Sequence, residues 1–292
     1  MQYNDTLYII GNGFDCHHKM NSYYKDFYAY LDRVDRSMVV SMEKSFDCDN
    51  LWSDFESKLA LFSREWIMHL VEASYNEINI DDYRASEIYM PIDQVISSVD
   101  RFTIDLKYRF YKWLRQTYLP KGHKGYLLTL KLDALFLNFN YTTTLETLYG
   151  IDESKIFYIH GNLKKSWDNI ILGHGIHWDR SLDTWIEKHK DEFRFHSVFR
   201  NKRGRYYPNT SFSYLAWFTK SEKEFLKRTN EVSQIIIEQT VPEIEEYFKY
   251  SFKDTRQVIK ENQYWFDKYQ YAKDIFVLGH SLSEIDYHIF IT

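Results

Sequence analysis

Five short, continuous runs of apolar residues are spread along the chain, and longer stretches with helical spacing separate them. Each run is followed closely by Gly, Asn or His, and the runs cover residues 7–10, 134–137, 156–159, 170–172 and 275–278. Strands that are buried on both faces of a parallel sheet are apolar throughout rather than alternating, so the runs predict such strands. In open α/β sheets ligands bind beyond the carboxyl ends of the strands, which makes the polar residues there the candidate site.

Two long regions have apolar residues at three- and four-residue spacing, which is typical of amphipathic helices. We interpret residues 20–125 as a large helical insertion after the first strand, with Pro91 opening its last helix. A second helix-rich segment is predicted at residues 178–271. The pattern therefore predicts an α/β protein in which residues 1–292 form a single Rossmann-like domain with a mostly parallel sheet.

Composition narrows the class of protein. With 44% hydrophobic and 27% charged residues the chain resembles an ordinary globular protein, and its net charge of -5 disfavours nucleic acid as a partner. No apolar run approaches the roughly 20 residues that a membrane helix needs, and no leader peptide is visible. The two cysteines, Cys16 and Cys48, do not form a disulfide framework. We therefore predict a cytoplasmic protein with no membrane partner.

The first strand runs directly into Gly11, Asn12 and Gly13, with Asp15 close behind. A strand, a glycine turn and then a helix is the layout of a phosphate-binding turn, in which glycines permit positive φ and let backbone amides approach a diphosphate. Asn12 can bind a ribose or a phosphate. Because Cys16 replaces the third glycine of the G-x-G-x-x-G fingerprint, a purely structural turn remains an equal alternative.

Two later strand ends carry residues with catalytic potential. Asn140 lies just past the second strand, before a helix whose N-cap is Thr142 or Thr143, and it is either a site residue or a turn residue. His160, followed by Gly161, ends the third strand. A histidine there titrates near neutral pH and can act as a general base, and the alternative is a packed, hydrogen-bonded histidine.

The last strand ends in Gly279, which permits the close approach of a ligand, and a Ser- and Asp-rich helix start follows. Asp286 in that segment either orients a ribose or caps the helix.

A zinc site would require Cys16 to converge with nearby histidines. The candidate ligands are Cys16, His17, His18, His174 and His177. Consecutive residues do not easily converge on one ion, so we predict no metal site.

Five sequence blocks together resemble the AbiH family of bacterial abortive-infection proteins. The blocks are "LYIIGNGFD", "LWSDFE", "NFNYTTTLETLY", "IHGN" and "VLGHSLSEIDYH". The resemblance extends over nearly the whole chain and implies a role in anti-phage defence. The chain departs from the family after "GNGFD", where "CHHKMNSYYKDF" replaces a small-residue turn that contains proline.

The same order of motifs is similar to that of sirtuin-like NAD-binding domains, which carry Gly-Ala-Gly, Thr-x-Asn-x-Asp, His-Gly and Gly-x-Ser-Leu segments. This resemblance implies a sirtuin-like fold with NAD as substrate or ligand. It implies that Asn140 holds the water or ribose at the reacting carbon and that His160 is the base. The implied cofactor-binding residues are Gly11, Asn12, Gly13, Phe14, Tyr141, Gly161, Gly279, His280, Ser281 and Asp286. Thr142 replaces the aspartate of those domains, which favours binding without cleavage.

Cleavage of the nicotinamide–ribose bond builds positive charge on the sugar. The leaving group is already cationic, so the site needs a positioning base and a dry apolar wall, for which Phe14 and Tyr141 are candidates. Asp15 or Asp286 can stabilise the cation. The leading hypothesis is a defence effector that hydrolyses NAD, and the alternative is a non-catalytic nucleotide sensor that signals to a partner protein. A phage-derived trigger and a homo-oligomer remain open as partners.

Overall fold

A computed structural model describes residues 5–46, 48–62, 85–117, 126–175, 198–200, 206–208 and 231–282. Its central sheet has four parallel strands, and a separate pair of antiparallel strands forms a second, small sheet. The strands are β1 (Thr6–Ile10), β2 (Leu135–Asn138), β3 (Ile156–Tyr158), β4 (Val198–Arg200), β5 (Tyr206–Pro208) and β6 (Asp274–Leu278). The predicted α/β class with a Rossmann-like, mostly parallel sheet is thereby confirmed.

The strand order of the central sheet is β3-β2-β1-β6. The chain moves outward from β1 through β2 to β3, and it later returns to place β6 on the other side of β1. The order therefore reverses between β1 and β6. In open α/β sheets the crevice at the carboxyl ends of two such strands is the usual ligand site.

The strands end level with one another at this edge. Ile10 pairs with Asn138 on one side and with Leu278 on the other, and Asn138 pairs with Tyr158. The residues that follow each strand are consequently brought into one row, although the chain segments that carry them are far apart in sequence.

Helices surround the sheet. Between β1 and β2 they are α1 (Asn12–His17), α2 (Tyr24–Val34), α3 (Arg36–Ser45), α4 (Phe55–Lys58), α5 (Ala85–Asp100) and α6 (Leu106–Thr117). The later helices are α7 (Thr144–Tyr149), α8 (Glu231–Tyr250), α9 (Thr255–Glu261) and α10 (Gln263–Phe266). No helix in the described part of the chain is both long enough and apolar enough to cross a membrane.

Pro91 does not open a helix, so that prediction is wrong. It lies inside α5, which begins at Ala85 and continues through a π-helical segment, Arg101–Asp105, into α6. A proline is best tolerated in a first helical turn, but a helix interior accepts it at the loss of one backbone hydrogen bond. The position of a proline therefore did not locate the start of this helix.

The apolar run at residues 170–172 does not form a strand, which is the second correction. Its backbone makes one bond toward the sheet edge, from the Ile171 amide to the His160 carbonyl at 2.9 Å. Ile170 and Leu172 are nevertheless buried, because they pack into the core of the helices rather than into the sheet. A continuous apolar run shows burial on all sides, and helices can provide that burial as well as neighbouring strands can.

The core of the helices inserted between β1 and β2 meets the carboxyl edge of the sheet. Phe27, Phe55 and Phe110 belong to this core, and Tyr141, from the segment after β2, packs among them. Two further clusters cover the two faces of the sheet, one against α9 and α10 and one against α7. The inserted helices therefore form a wall over the row of strand ends.

Candidate functional site

A cavity of about 260 Å³ lies at the carboxyl edge of the sheet, where the strand order reverses. The sheet side of its lining comprises Gly11, Asn12, Asp15, Phe139, Asn140, Tyr141, Thr142, His160, Gly279, His280 and Ser281. The remaining side comprises Ser22, Tyr24, Asp54, Glu56, Phe110, Trp113, Leu114 and Lys253. The structure thus brings together most of the site residues that the sequence predicted.

The glycine turn after β1 packs directly on the turn after β6. The amide of Gly11 donates to the carbonyl of Leu278 at 3.0 Å, and the amide of Gly13 donates to the carbonyl of Gly279 at 2.9 Å. A Cβ on Gly13 would lie 2.8 Å from the Cα of Gly279. These glycines therefore let two turns approach each other, and their amides already have acceptors.

Gly11 and Gly13 do not use the positive φ that glycine permits. Gly11 has a φ of -123° and is the N-cap of α1, and within the described residues the glycines with positive φ are Gly150, Gly161 and Gly279. The turn does not need the left-handed region because α1 begins immediately at Asn12. The conformational freedom is used instead at Gly279, with a φ of 69°.

Within the described part of the chain, three predicted binding residues do not line the cavity: Gly13, Phe14 and Gly161. Phe14 is buried in the core on one face of the sheet, beside Tyr8 and Leu145. Gly161 has a φ of 79°, and a Cβ there would lie 2.1 Å from the carbonyl oxygen of Asn169, which accounts for the glycine by packing. Asp286 lies outside the described residues. The predicted apolar wall is formed without Phe14, by Phe139, Tyr141 and the inserted helices.

Asn140 connects the ends of two strands while it faces the cavity. Its Nδ2 donates to the carbonyl of Gly11 at 2.9 Å, and its backbone amide donates to Oδ1 of Asn138 at 3.0 Å. Asn140 therefore has the structural role in a turn that the sequence left open as an alternative. Its own Oδ1 has no hydrogen-bond partner in the described part of the chain, and this oxygen remains available to a water molecule or a hydroxyl group.

Asp15 supplies a buried carboxylate beside Asn140. It lies on α1, is 1% exposed, and accepts hydrogen bonds from the hydroxyl groups of Thr142 at 2.5 Å and Thr144 at 2.7 Å. Burial raises the pKa of the Asp15 carboxyl to about 6, although the hydrogen bonds oppose this rise. Thr142, where the sirtuin-like pattern has an aspartate, thus lies against an aspartate from another segment.

His160 is buried among aromatic rings. Its ring centroid lies 5.7 Å from that of Phe139 and 6.2 Å from that of Tyr141. His280 packs on the same phenylalanine, with 4.1 Å between its ring centroid and that of Phe139. Two imidazoles from different strand ends therefore share one phenylalanine at the cavity.

A family model, Bacteriophage abortive infection AbiH, matches residues 7–292. The chain belongs to the AbiH family. The predicted family membership is confirmed, and with it the association of this AbiH protein with abortive infection by bacteriophage. Comparisons with curated proteins and with solved structures found no match.

The lining of the AbiH cavity also contains an ion pair that was not predicted from the sequence. Nζ of Lys253 donates to Oε1 of Glu56 at 2.7 Å, and the same oxygen accepts from the Tyr141 hydroxyl at 3.2 Å. The Lys253 side chain is 1% exposed. Glu56 belongs to the "LWSDFE" block that carries the family resemblance, but no pattern in the sequence around Lys253 indicates a site residue.

Among the described residues, the cysteine and histidines considered as zinc ligands are not grouped into a metal centre. His17 bonds to the Tyr126 carbonyl at 2.9 Å, whereas His18 bonds to the Tyr149 hydroxyl at 2.7 Å. His177 lies outside the described residues. In the residues that the structure describes, no three His, Cys, Asp or Glu side chains are grouped so that they could hold an ion.

Proposed function

We propose that this AbiH protein is an abortive-infection effector that binds NAD or a related nucleotide and hydrolyses its N-glycosidic bond. The observation that carries the proposal is the single cavity wall on which Asn140, His160 and Asp15 meet, at the point where the strand order of the sheet reverses. A nucleotide in that crevice would occupy the position at which open α/β sheets ordinarily bind ligands.

The roles of these residues follow from the charge that develops in the reaction. Cleavage between nicotinamide and ribose produces an oxocarbenium-like sugar, which an adjacent carboxylate stabilises. Asp15 supplies that carboxylate, Oδ1 of Asn140 orients the attacking water, and His160 accepts its proton. The pyridinium leaving group departs as a neutral ring and needs no general acid.

The inserted helices would keep this reaction dry. Phe110 and Trp113 of α6, together with Phe139 and Tyr141, supply apolar surface at the cavity. Water exclusion strengthens electrostatic interactions between the site and the developing cation. At about 260 Å³ the cavity is slightly smaller than typical ligand pockets, which are roughly 300–1,000 Å³. We therefore expect it to enclose the nicotinamide riboside end, with the adenosine outside.

A nicotinamide-release assay tests the proposal. Purified protein is incubated with NAD, and the products are separated and identified by mass spectrometry. We expect nicotinamide and ADP-ribose to appear in equal amounts, because water is the acceptor. The absence of both nicotinamide release and nucleotide binding would overturn the proposal.

The second candidate is a sensor that binds the nucleotide without cleaving it. One observation favours the sensor: the amides of Gly11 and Gly13 already donate hydrogen bonds to carbonyl groups at the end of β6 and in the turn that follows it. A ligand that pressed on these turns would change the packing of β6 on β1 and so could signal to a partner. Nucleotide binding with no nicotinamide released would select the sensor.

A further inference from the structure

Lys253 is a buried cation whose hydrogen-bonding capacity is only partly used. Its ammonium group carries three N–H donors, and Nζ makes one hydrogen bond to the described residues, to Oε1 of Glu56 at 2.7 Å. The side chain is 1% exposed and lines the cavity. Within the described part of the chain, two donors of a desolvated charge are therefore left for another acceptor.

The other polar groups of the lining are poorly suited to an anion. The carboxylates of Asp15, Asp54 and Glu56 repel negative charge, and Lys253 is the one lysine or arginine among the described lining residues. The backbone amides of Gly11 and Gly13, which commonly cradle phosphates in such turns, donate to carbonyl groups of the neighbouring turn. An anionic group that enters this cavity is attracted to Lys253.

We propose that Lys253 binds a phosphate group of the nucleotide and thereby fixes which end of the ligand faces Asn140. This inference rests on the proposed function and deepens it, because it identifies the phosphate-binding residue. A phosphate oxygen accepts the two remaining donors of Nζ, and the ammonium shares or leaves the Glu56 carboxylate. Charge-assisted hydrogen bonds of this kind are among the stronger polar contacts in proteins.

Tyr141 is placed to hold Glu56 when Lys253 turns toward the ligand. The Tyr141 hydroxyl lies 3.2 Å from Oε1 of Glu56 and 3.0 Å from the carbonyl oxygen of Ile171. One hydroxyl proton serves one of these acceptors at a time. When phosphate draws the ammonium away, rotation of the O–H toward Glu56 stabilises the carboxylate that Lys253 has left.

The opposing interpretation is that the ion pair is purely structural and ties the segment after α8 to α4. The two interpretations predict opposite effects for one substitution. Glu56→Gln removes the competitor of the phosphate, so phosphate binding tightens if Lys253 is a ligand-binding residue. If the pair is only structural, Glu56→Gln and Lys253→Met both weaken binding through loss of order.

Isothermal titration of the full chain with NAD, nicotinamide riboside and inorganic pyrophosphate tests the inference. We expect Lys253→Met to weaken the binding of NAD and pyrophosphate by about 10- to 100-fold, the value of a hydrogen-bonded charge. The affinity for nicotinamide riboside, which has no phosphate, should stay unchanged. Glu56→Gln should tighten pyrophosphate binding. Lys249→Met on α8, where Lys249 pairs with Glu246 at the surface, is the matched control and should bind like the wild type.

The outcomes separate this inference from the proposed function. Equal NAD affinity in wild type and Lys253→Met would overturn the role of Lys253 and leave nucleotide binding intact. If the wild type binds none of the three ligands, the proposed function fails, and pyrophosphate binding by Glu56→Gln then decides the role of Lys253. Should Lys253→Met not fold, the double variant Lys253→Met/Glu56→Gln, which buries no unpaired charge, replaces it. Pyrophosphate binding as tight in the double variant as in Glu56→Gln contradicts the inference.

Discussion

Oδ2 of Asp15 and the hydroxyl oxygen of Thr142 lie 2.5 Å apart, although 127 residues separate the two side chains in sequence. Both line the cavity at the carboxyl edge of the sheet. Thr142 therefore does not leave this site without a carboxylate, because the turn after β1 provides one. Because Asp15 is buried, its ionisation affects the stability of the folded protein and can be followed by denaturation at different pH values.

Asp15→Asn should raise the free energy of unfolding at neutral pH. The pKa of Asp15 rises from 3.8 to about 6 in the folded chain, so the folded state holds its proton over a range in which the unfolded state has lost it. Its contribution to stability is thus fully present below about pH 4 and is lost as the pH rises through about 6. We expect the variant to be more stable than the wild type by about 1–3 kcal/mol at neutral pH.

Urea denaturation of both proteins at a series of pH values checks this prediction. The difference between wild type and Asp15→Asn should be small near pH 4 and grow until about pH 6. Other titrating groups are common to both proteins and cancel in the difference. A difference that does not vary with pH would show that the burial of Asp15 does not perturb its ionisation.

Thr142→Val should have the opposite effect. The Thr142 hydroxyl donates to the Asp15 carboxylate and holds the pKa of Asp15 lower than burial alone would set it. Its loss leaves a buried carboxylate with one fewer donor, at about 1–2 kcal/mol of stability at neutral pH. The loss should shrink in acid, where Asp15 is protonated. Equal losses in acid and at neutral pH would mean that the hydroxyl does not interact with the charged form.

The strand ends could be predicted from sequence because burial on both faces leaves a continuous apolar run, as in β1 and β2. The strand predicted at residues 170–172 is absent because the inserted helices, rather than neighbouring strands, bury Ile170 and Leu172. Asn140 and His160 could be proposed because each lies two residues past the end of a strand. The Glu56–Lys253 pair could not, since 197 residues separate its members and neither follows a strand. Local patterns identify what a strand presents at its end, but not which distant helix covers it.

Gly13→Ala tests whether close packing of the two turns requires glycine at this position. The sign of the change in the free energy of unfolding gives the answer. Gly13 lies in α1 without positive φ, so alanine alone would stabilise the helix by about 0.5–1 kcal/mol. A Cβ there would, however, lie 2.8 Å from the Cα of Gly279, and backbone atoms cannot rotate away. We expect net destabilisation by about 1–3 kcal/mol in urea denaturation, as for overpacked sites. A stabilised variant would show that the two turns are not in close contact.

Asn140→Ala and Asn12→Ala form a matched pair that separates catalysis from binding. Each side chain donates a hydrogen bond of 2.9 Å to a backbone carbonyl, Asn140 to Gly11 and Asn12 to Ser22. Both variants should therefore lose a similar free energy of unfolding, about 1 kcal/mol. Only Asn140 is proposed to orient the attacking water, so Asn140→Ala should lower kcat for nicotinamide release by about 100-fold or more. Asn12→Ala should chiefly raise KM, because its role is ligand contact.

The comparison of kcat with KM decides between catalytic and structural roles for Asn140. If Asn140 is only a cross-link between β1 and β2, both variants should change activity in proportion to their shared loss of stability. Activity is then restored in each by adding a stabilising ligand or by lowering the temperature. A kcat effect that persists in a fully folded Asn140→Ala protein, as judged by circular dichroism, assigns the side chain to the reaction itself. An unchanged kcat removes Asn140 from the mechanism and leaves His160 and Asp15 as its remaining polar groups.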